Sequence, residues 1–224
     1  MFDILKIGGY KILHLTDGNL LEEAVAFVDK GKADGINLNY IRNWRTDLEP
    51  LRKSKIMKCL IVNDYPPSVQ YDYSAIHSLH NLLHLSVNTS DKKEIDFSAF
   101  PKITSVTLKW RPKASSLFKC VQLKELFLGS YTDRDLTQLC NLKNLKYLRI
   151  NLGSVVSLKG LRDIQGLEEL MLMQATKLED IDEIFELKHL KYLRIDNCKH
   201  VKHIHNLKRM NISKLEIRGT TPNE

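Results

Sequence analysis

The sequence predicts an α/β repeat array in which one short strand and one turn recur along the whole chain. Three observations predict it: an apolar triplet that returns at nearly constant spacing, apolar residues at every third position ahead of the triplets, and atypical segments at both ends. In each triplet, apolar residues stand at positions one, four and six. The clearest copies are Leu145, Leu148 and Ile150, then Leu167, Leu170 and Leu172, then Leu190, Leu193 and Ile195. Earlier copies are Leu123, Leu126 and Leu128; Ile103, Val106 and Leu108; Leu82, Leu85 and Val87; and Met57, Leu60 and Val62. Ala33 with Ile36 and Leu38, and Tyr10 with Leu13 and Leu15, are weaker copies, and Ile212, Leu215 and Ile217 close the series. Ten copies at steps of 20 to 25 residues, centred on 13, 36, 60, 85, 106, 126, 148, 170, 193 and 215, leave little room for accident.

The last two apolar positions of each triplet alternate, which places a short strand there with one face buried. Between triplets, Leu178, Ile181, Ile184, Leu187 and Leu190 keep a spacing of three, as do Leu139, Leu142, Leu145 and Leu148. Residues three apart eclipse in a 3₁₀ helix, so the turns should be short 3₁₀ segments rather than long α-helices.

The two ends should be built differently, because a stacked array must hide the apolar edges of its terminal units. Phe2 to Ile7 and Tyr10 to Leu15 are β-type runs around Gly8 and Gly9, a two-residue hairpin signal. Asn19 followed by Glu22 reads as a capping box, and Leu20, Leu21, Ala24, Val25, Phe27 and Val28 form a helical stripe that stops before Gly31. After the last triplet come Gly219, Thr220, Thr221, Pro222, Asn223 and Glu224, with no cap signal, so the last strand is expected to be an exposed edge or an assembly surface.

These triplets resemble the leucine-rich repeat family, and the 22-residue step resembles its internalin-like, SDS22-like subclass. The resemblance implies a right-handed solenoid with a parallel concave sheet and a convex side of 3₁₀ turns and loops, here with an N-terminal hairpin and helix cap. The chain then reads as one domain, 1–224, with residues 1–31 as cap and first irregular repeat, 32–219 as repeats and 220–224 as tail. Family members carry Asn, Cys or Thr five residues after the central leucine. Cys198 and Thr220 fit that pattern, whereas Ile41, Tyr65, Ser90, Arg111, Tyr131, Gly153 and Ala175 depart from it.

Composition narrows the function classes. The chain has 224 residues, of which 43% are apolar and 27% charged, enough for a sizeable core and too few uninterrupted apolar positions for a membrane span. Met1 to Lys11 lacks the basic head and small-residue cleavage site of a secretory signal. Cys59, Cys120, Cys140 and Cys198 include no CxxC pair, which points to reduced thiols and a cytoplasmic location.

Residues flanking the apolar strand positions point away from the coil, and there the chain changes character. Early strands offer small polar groups such as Asn37, Asn63, Ser86 and Thr107. Later ones gather the aromatic, Met and Arg side chains that dominate binding hot spots. A partner-binding face is therefore expected around Phe127, Tyr147, Arg149, Met171, Tyr192 and Arg194, with Glu169 and Asp196 beside them. Phe127, Tyr147, Met171 and Tyr192 are expected to form one continuous apolar strip. Simple covering of the sheet is the competing reading. Trp110 is a candidate rim anchor and Trp44 a candidate core residue.

Charge is uneven. Residues 188 to 218 carry nine Lys or Arg against Asp196 and Glu216, equal to the net charge of +7 of the whole chain, while residues 167 to 187 are acidic. Mutual neutralisation between neighbouring repeats is the preferred reading, with a basic end that steers an acidic partner as the alternative. Cys198, His200, His203 and His205 contain zinc-type ligands, but the apolar spacers Val201 and Ile204 would fan the histidines apart, so no metal site is expected. Cys59 and His84 are the nearest approach to a catalytic pair, and no phosphate loop, dinucleotide fingerprint or nucleophile elbow is present. The expectation is a non-enzymatic module without cofactor, small-molecule substrate, nucleic acid or membrane, binding a protein on its concave face. An intracellular inhibitor or immunity-type protein that neutralises a nuclease or toxin is the alternative. Partner identity and oligomeric state are left open by the sequence.

Overall fold

Each of the ten triplet centres lies in a β-strand. The computed structural model describes residues 2–43, 45–63 and 70–220, without the side chains of Tyr40 and Ile41. Trp44 and Tyr65, and the tail beyond Thr220, lie outside the described residues. The chain divides into two units, Met1–Cys120 and Val121–Glu224.

The first unit begins with β1 (Asp3–Ile7) and β2 (Tyr10–Asp17), an antiparallel pair in which Ile7 faces Tyr10. Gly8 and Gly9 both have positive φ (54° and 85°), the geometry that tight hairpins demand and glycine supplies cheaply. Helix α1 (Leu21–Asp29) follows and buries Leu21, Ala24, Val25 and Val28. The expected capping box does not form. Asn19 sits inside a short 3₁₀ turn, Gly18–Leu20, whose cap is Asp17, with its carboxylate accepting from Asn19 N at 3.0 Å. Gly31 ends the helix as expected, donating to Val28 O. Strands β3 (Gly35–Arg42), β4 (Cys59–Asn63), β5 (His84–Asn88) and β6 (Ser105–Lys109) then add in parallel.

In the second unit, β7 (Glu125–Gly129), β8 (Tyr147–Asn151), β9 (Glu169–Met173), β10 (Tyr192–Asp196) and β11 (Lys214–Arg218) are parallel and in sequence order. The turns between strands are 3₁₀ segments such as Thr137–Leu139, Leu161–Asp163, Asp182–Glu186 and Ile204–Arg209.

Register holds the core together. Leu13, Ile36, Leu60, Leu85 and Val106 stand opposite one another across β2 to β6. Leu126, Leu148, Leu170, Leu193 and Leu215 do the same across β7 to β11. All but Leu215 are essentially without solvent contact. Leu215 and Ile217 on β11 are half-buried. Gly35 is dictated by the same close stacking, since a Cβ there would run into the Cys59 carbonyl.

Where the sequence lacks Asn, Cys or Thr five residues after the strand centre, other devices satisfy the backbone. In the second unit the residue four past each strand centre is left-handed: Ser130, Leu152, Gln174, Asn197 and Gly219 have φ of 53–56°. The N–H groups of the first four reach the last carbonyl of the next strand, on Asn151, Met173, Asp196 and Arg218, at 2.7 to 3.0 Å. Side-chain turns close the start of many loops. Asp47, Asp72, Asp96, Asp135 and Asp180 each accept from the backbone N–H two residues on. Where the first unit places Arg111 instead of asparagine, a buried network forms. Arg111 Nη1 donates to Asp91 Oδ1 at 3.0 Å and Nη2 to Thr89 Oγ1 at 2.9 Å, while Tyr73 OH donates to Asp91 Oδ2 at 2.7 Å. Thr220 accepts from Cys198 N at 3.1 Å, so the two positions that match the family pattern meet.

Two outcomes test this account of the fold. Leu170→Asp puts an unpaired carboxylate in the buried column, costs several kcal/mol and should unfold its unit. Leu152→Gly instead relieves a left-handed residue whose side chain is 57% exposed, and should raise stability by about 1 kcal/mol in a denaturant titration.

The aspartate turns add a pH dependence. Hydrogen bonds to the carboxylates of Asp47, Asp72, Asp96, Asp135 and Asp180 hold their pKa values below the ordinary 3.8. For Asp135 the Thr137 hydroxyl contributes most, and for the other four the backbone N–H two residues on. A depressed folded-state pKa gives stability that is complete above the unfolded value and is lost as pH falls through the folded one. The melting temperature should therefore drop as pH passes below 3.8. Asparagine keeps the turn bond but not the charge, so Asp47→Asn, Asp72→Asn and Asp180→Asn together should flatten the drop. An unchanged drop would assign the acid sensitivity to other groups.

Candidate functional site

The outward residues of β7 to β11 form three rows set by the register. The first runs Glu125, Tyr147, Glu169, Tyr192 and Lys214; the second Phe127, Arg149, Met171, Arg194 and Glu216; the third Gly129, Asn151, Met173, Asp196 and Arg218. Phe127, Tyr147, Arg149, Glu169, Met171, Tyr192, Arg194 and Asp196 thus all lie on one face of one unit. The four residues of the expected continuous apolar strip do not share one row. Phe127 and Met171 belong to the second row and Tyr147 and Tyr192 to the first, so aromatic and sulfur side chains alternate with charges in a checkerboard. The reason is that the strands pair centre to centre, which keeps the position before the centre and the position after it in separate rows.

The charges on this face differ in how far they are engaged. Arg194 Nη2 donates to Asp196 Oδ2 at 2.6 Å, and Asn197 Nδ2 donates to Asp196 Oδ1 at 2.7 Å. The Asp196 bond holds Arg194 above its ordinary pKa. Lys214 Nζ lies 2.7 Å from Glu216 and 4.8 Å from the Tyr192 ring centroid, and Arg218 pairs with Glu216 at 3.1 Å. The Glu216 bond raises the Lys214 pKa, and the Lys214 bond lowers that of Glu216. Arg149 stands apart. It has no hydrogen-bond or ion-pair partner among the described residues, and its strand neighbours in the row are Phe127 and Met171. Tyr147, two residues before it, is 36% exposed. Two polar atoms of the face, Asn151 Oδ1 and Arg194 Nε, are buried without a hydrogen-bond partner, an arrangement that costs about 1–3 kcal/mol per group.

The corresponding face of β2 to β6 is more closed than the sequence leads one to expect. Ile12, Gly35, Asn37, Cys59 and Ser105 are buried although they flank the apolar positions. Tyr10 accounts for part of this, because its ring centroid lies 6.4 Å from that of His84, two strands beyond Gly35, which has no side chain, and one beyond the small Cys59. Asn37 Nδ2 lies 3.2 Å from His14 Nδ1, and Asn63 donates to Asn37 Oδ1 at 2.9 Å. These three polar side chains are thus linked to one another. Trp110 is only half-buried and stacks at 5.2 Å on Phe118.

Cys59 and His84 do face each other in register. Burial nevertheless pushes the Cys59 thiol up to about 12, and His84 Nδ1 is 2.9 Å from Ser105 Oγ. That environment suppresses the thiolate a nucleophile needs. His200, His203 and His205 are exposed, Cys198 is buried with its thiol directed to the Leu172 and Asp196 carbonyls, and no group of three or more metal-type ligands converges among the described residues. Among the described residues, no helix is long and apolar enough to cross a membrane.

No protein-family model matches the chain, and no curated protein matches it. Solved structures do. Internalin C2 from Listeria monocytogenes aligns with a TM-score of 0.59 at 18% identity, over 77% of this chain and 76% of that one. The internalin InlF from the same organism aligns at 0.57 and 17% identity, over 93% and 72%. The leucine-rich repeat domain of the type III effector XopL aligns at 0.52 and 19%, over 69% and 57%. The chain has the leucine-rich repeat fold. At these identities the likeness is one of fold, and it places the three rows above on the leucine-rich repeat strand face.

Proposed function

We propose that the chain is a non-enzymatic protein-recognition module that takes a protein partner on the open strand face of Val121–Glu224, the face that is concave in leucine-rich repeat proteins. The observation that carries this reading is Arg149, an uncommitted guanidinium between Phe127 and Met171 with the exposed Tyr147 ring beside it. Sheet covering alone would pair that charge, as it does for Arg194, Lys214 and Arg218. Arginine and tyrosine in a partly desolvated apolar setting are the usual anchors of protein interfaces. The unpaired Asn151 Oδ1 and Arg194 Nε support the same reading, since local rules are broken where function asks for it. Phe127, Met171, Tyr192, Glu169 and Asp196 form the surround. The four free cysteines, three of them buried, fit a reducing compartment such as the cytoplasm.

Photo-crosslinkers placed at Phe127 and Met171 in host lysate should trap a protein, and the purified pair then gives the test. Tyr147→Ala and Arg149→Ala should leave the melting curve in place and weaken the complex by about 2 kcal/mol each. Full affinity in both variants would move the interface elsewhere.

A further inference from the structure

In Val121–Glu224 the 3₁₀ turns Asp182–Glu186 and Ile204–Arg209 follow one another between β9 and β11. Ile184, Ile204 and Leu207 point inward and are buried, but Phe185 is 41% exposed. Phe185, Asn206, Arg209 and Met210 line a shallow cavity of about 420 Å³. Leaving a phenyl ring exposed at an open cavity forgoes burial that a purely structural turn would use.

One cation lines the same cavity, and two more stand close to its lining residues in the chain. Of the nine Lys and Arg between residues 188 and 218, Lys191, Arg194, Lys202, Lys214 and Arg218 are held in ion pairs, two of them with Glu168 and Glu179 of the preceding acidic segment. Neutralisation between repeats is therefore real but incomplete. Lys188, Lys208 and Arg209 have no hydrogen-bond or ion-pair partner among the described residues. Arg209 lines the cavity, Lys208 precedes it on the same turn, and Lys188 follows Phe185 by three residues. Glu186 is an unpaired acid on these turns, which leaves the cluster cationic.

We propose that this cavity is a second docking site, for an acidic protein segment that carries an apolar side chain between its carboxylates. The apolar side chain would rest on Phe185 and Met210. A carboxylate would take the two-pronged hydrogen bond that the Arg209 guanidinium offers, with Lys188 and Lys208 drawing the segment in. The charge left after internal pairing selects an acidic partner, and the exposed ring selects one with an apolar residue. This site is independent of the strand face.

The test titrates isotope-labelled protein with the capped peptide acetyl-Asp-Leu-Phe-Asp-amide and follows backbone amide shifts. Saturable shifts confined to residues 184–189 and 203–211 are expected. Phe185→Ser and Arg209→Glu alter exposed side chains, so their melting curves should be unchanged while each weakens binding about tenfold. The peptides acetyl-Asp-Ser-Ser-Asp-amide and acetyl-Lys-Leu-Phe-Lys-amide should bind at least about tenfold more weakly. The proposal is overturned by an absence of saturable shifts, by equal binding of the serine or lysine peptide, or by shifts on the strand face. It is also overturned if a short single-stranded DNA binds more tightly than the peptide with Phe185→Ser unaffected, which would make this a phosphate-binding surface.

Discussion

The shared burial of one apolar residue per strand is the constraint on which everything else in this molecule rests. No repeat of about 22 residues can bury its own apolar edge, so each central leucine is dry only because the next strand lies against it in register. A slip of one residue would turn Leu148 outward and Arg149 inward, exchanging a favourable burial for an unpaired buried charge. The same parity that hides the leucines therefore presents Tyr147 and Arg149. Core and candidate interface are two readings of one alternation.

Polar satisfaction in the turns is the second condition, and the chain meets it with Asn, Cys or Thr at few of the positions where the leucine-rich repeat pattern places them. Left-handed residues send their N–H groups to the neighbouring strand end, and aspartates close the turns. In the first unit Arg111, Asp91, Thr89 and Tyr73 satisfy one another in full burial, with the guanidinium 5.5 Å from the Tyr73 ring. Removing one member of such a pair costs about 3–5 kcal/mol, because the other charge is stranded. Each device accepts a different residue type, which is how a regular backbone carries an irregular sequence.

That is also why the fold was legible in the sequence and the site only in part. The ten triplet strands, the glycine hairpin and the 3₁₀ turns follow from the spacing of apolar residues and the turn glycines, properties one sequence displays directly. The Asn19 cap failed because Asp17, two residues earlier, caps a 3₁₀ turn that takes Asn19 inside it, so that the α-helix begins only after Leu20. The residues of the strand face were recognisable from strand parity, but their partition into rows depends on centre-to-centre pairing that composition does not reveal. Which arginine is engaged was equally hidden: Arg194 and Arg149 occupy the same repeat position, and only the aspartate two residues after Arg194, where Arg149 has Asn151, separates them. The exposed Phe185 and its unpaired neighbours carry no periodic signal at all.

The most direct measurement of the central claim is native-state hydrogen exchange resolved by residue. Ser130, Leu152, Gln174 and Asn197 lie past the strand ends, where a generic loop would exchange freely, yet each donates to the next strand. If stacking in register holds the array, these four amides should open with the same free energy as those of Leu148 and Leu170. Exchange at unprotected rates at these positions, beside protected strands, would contradict it.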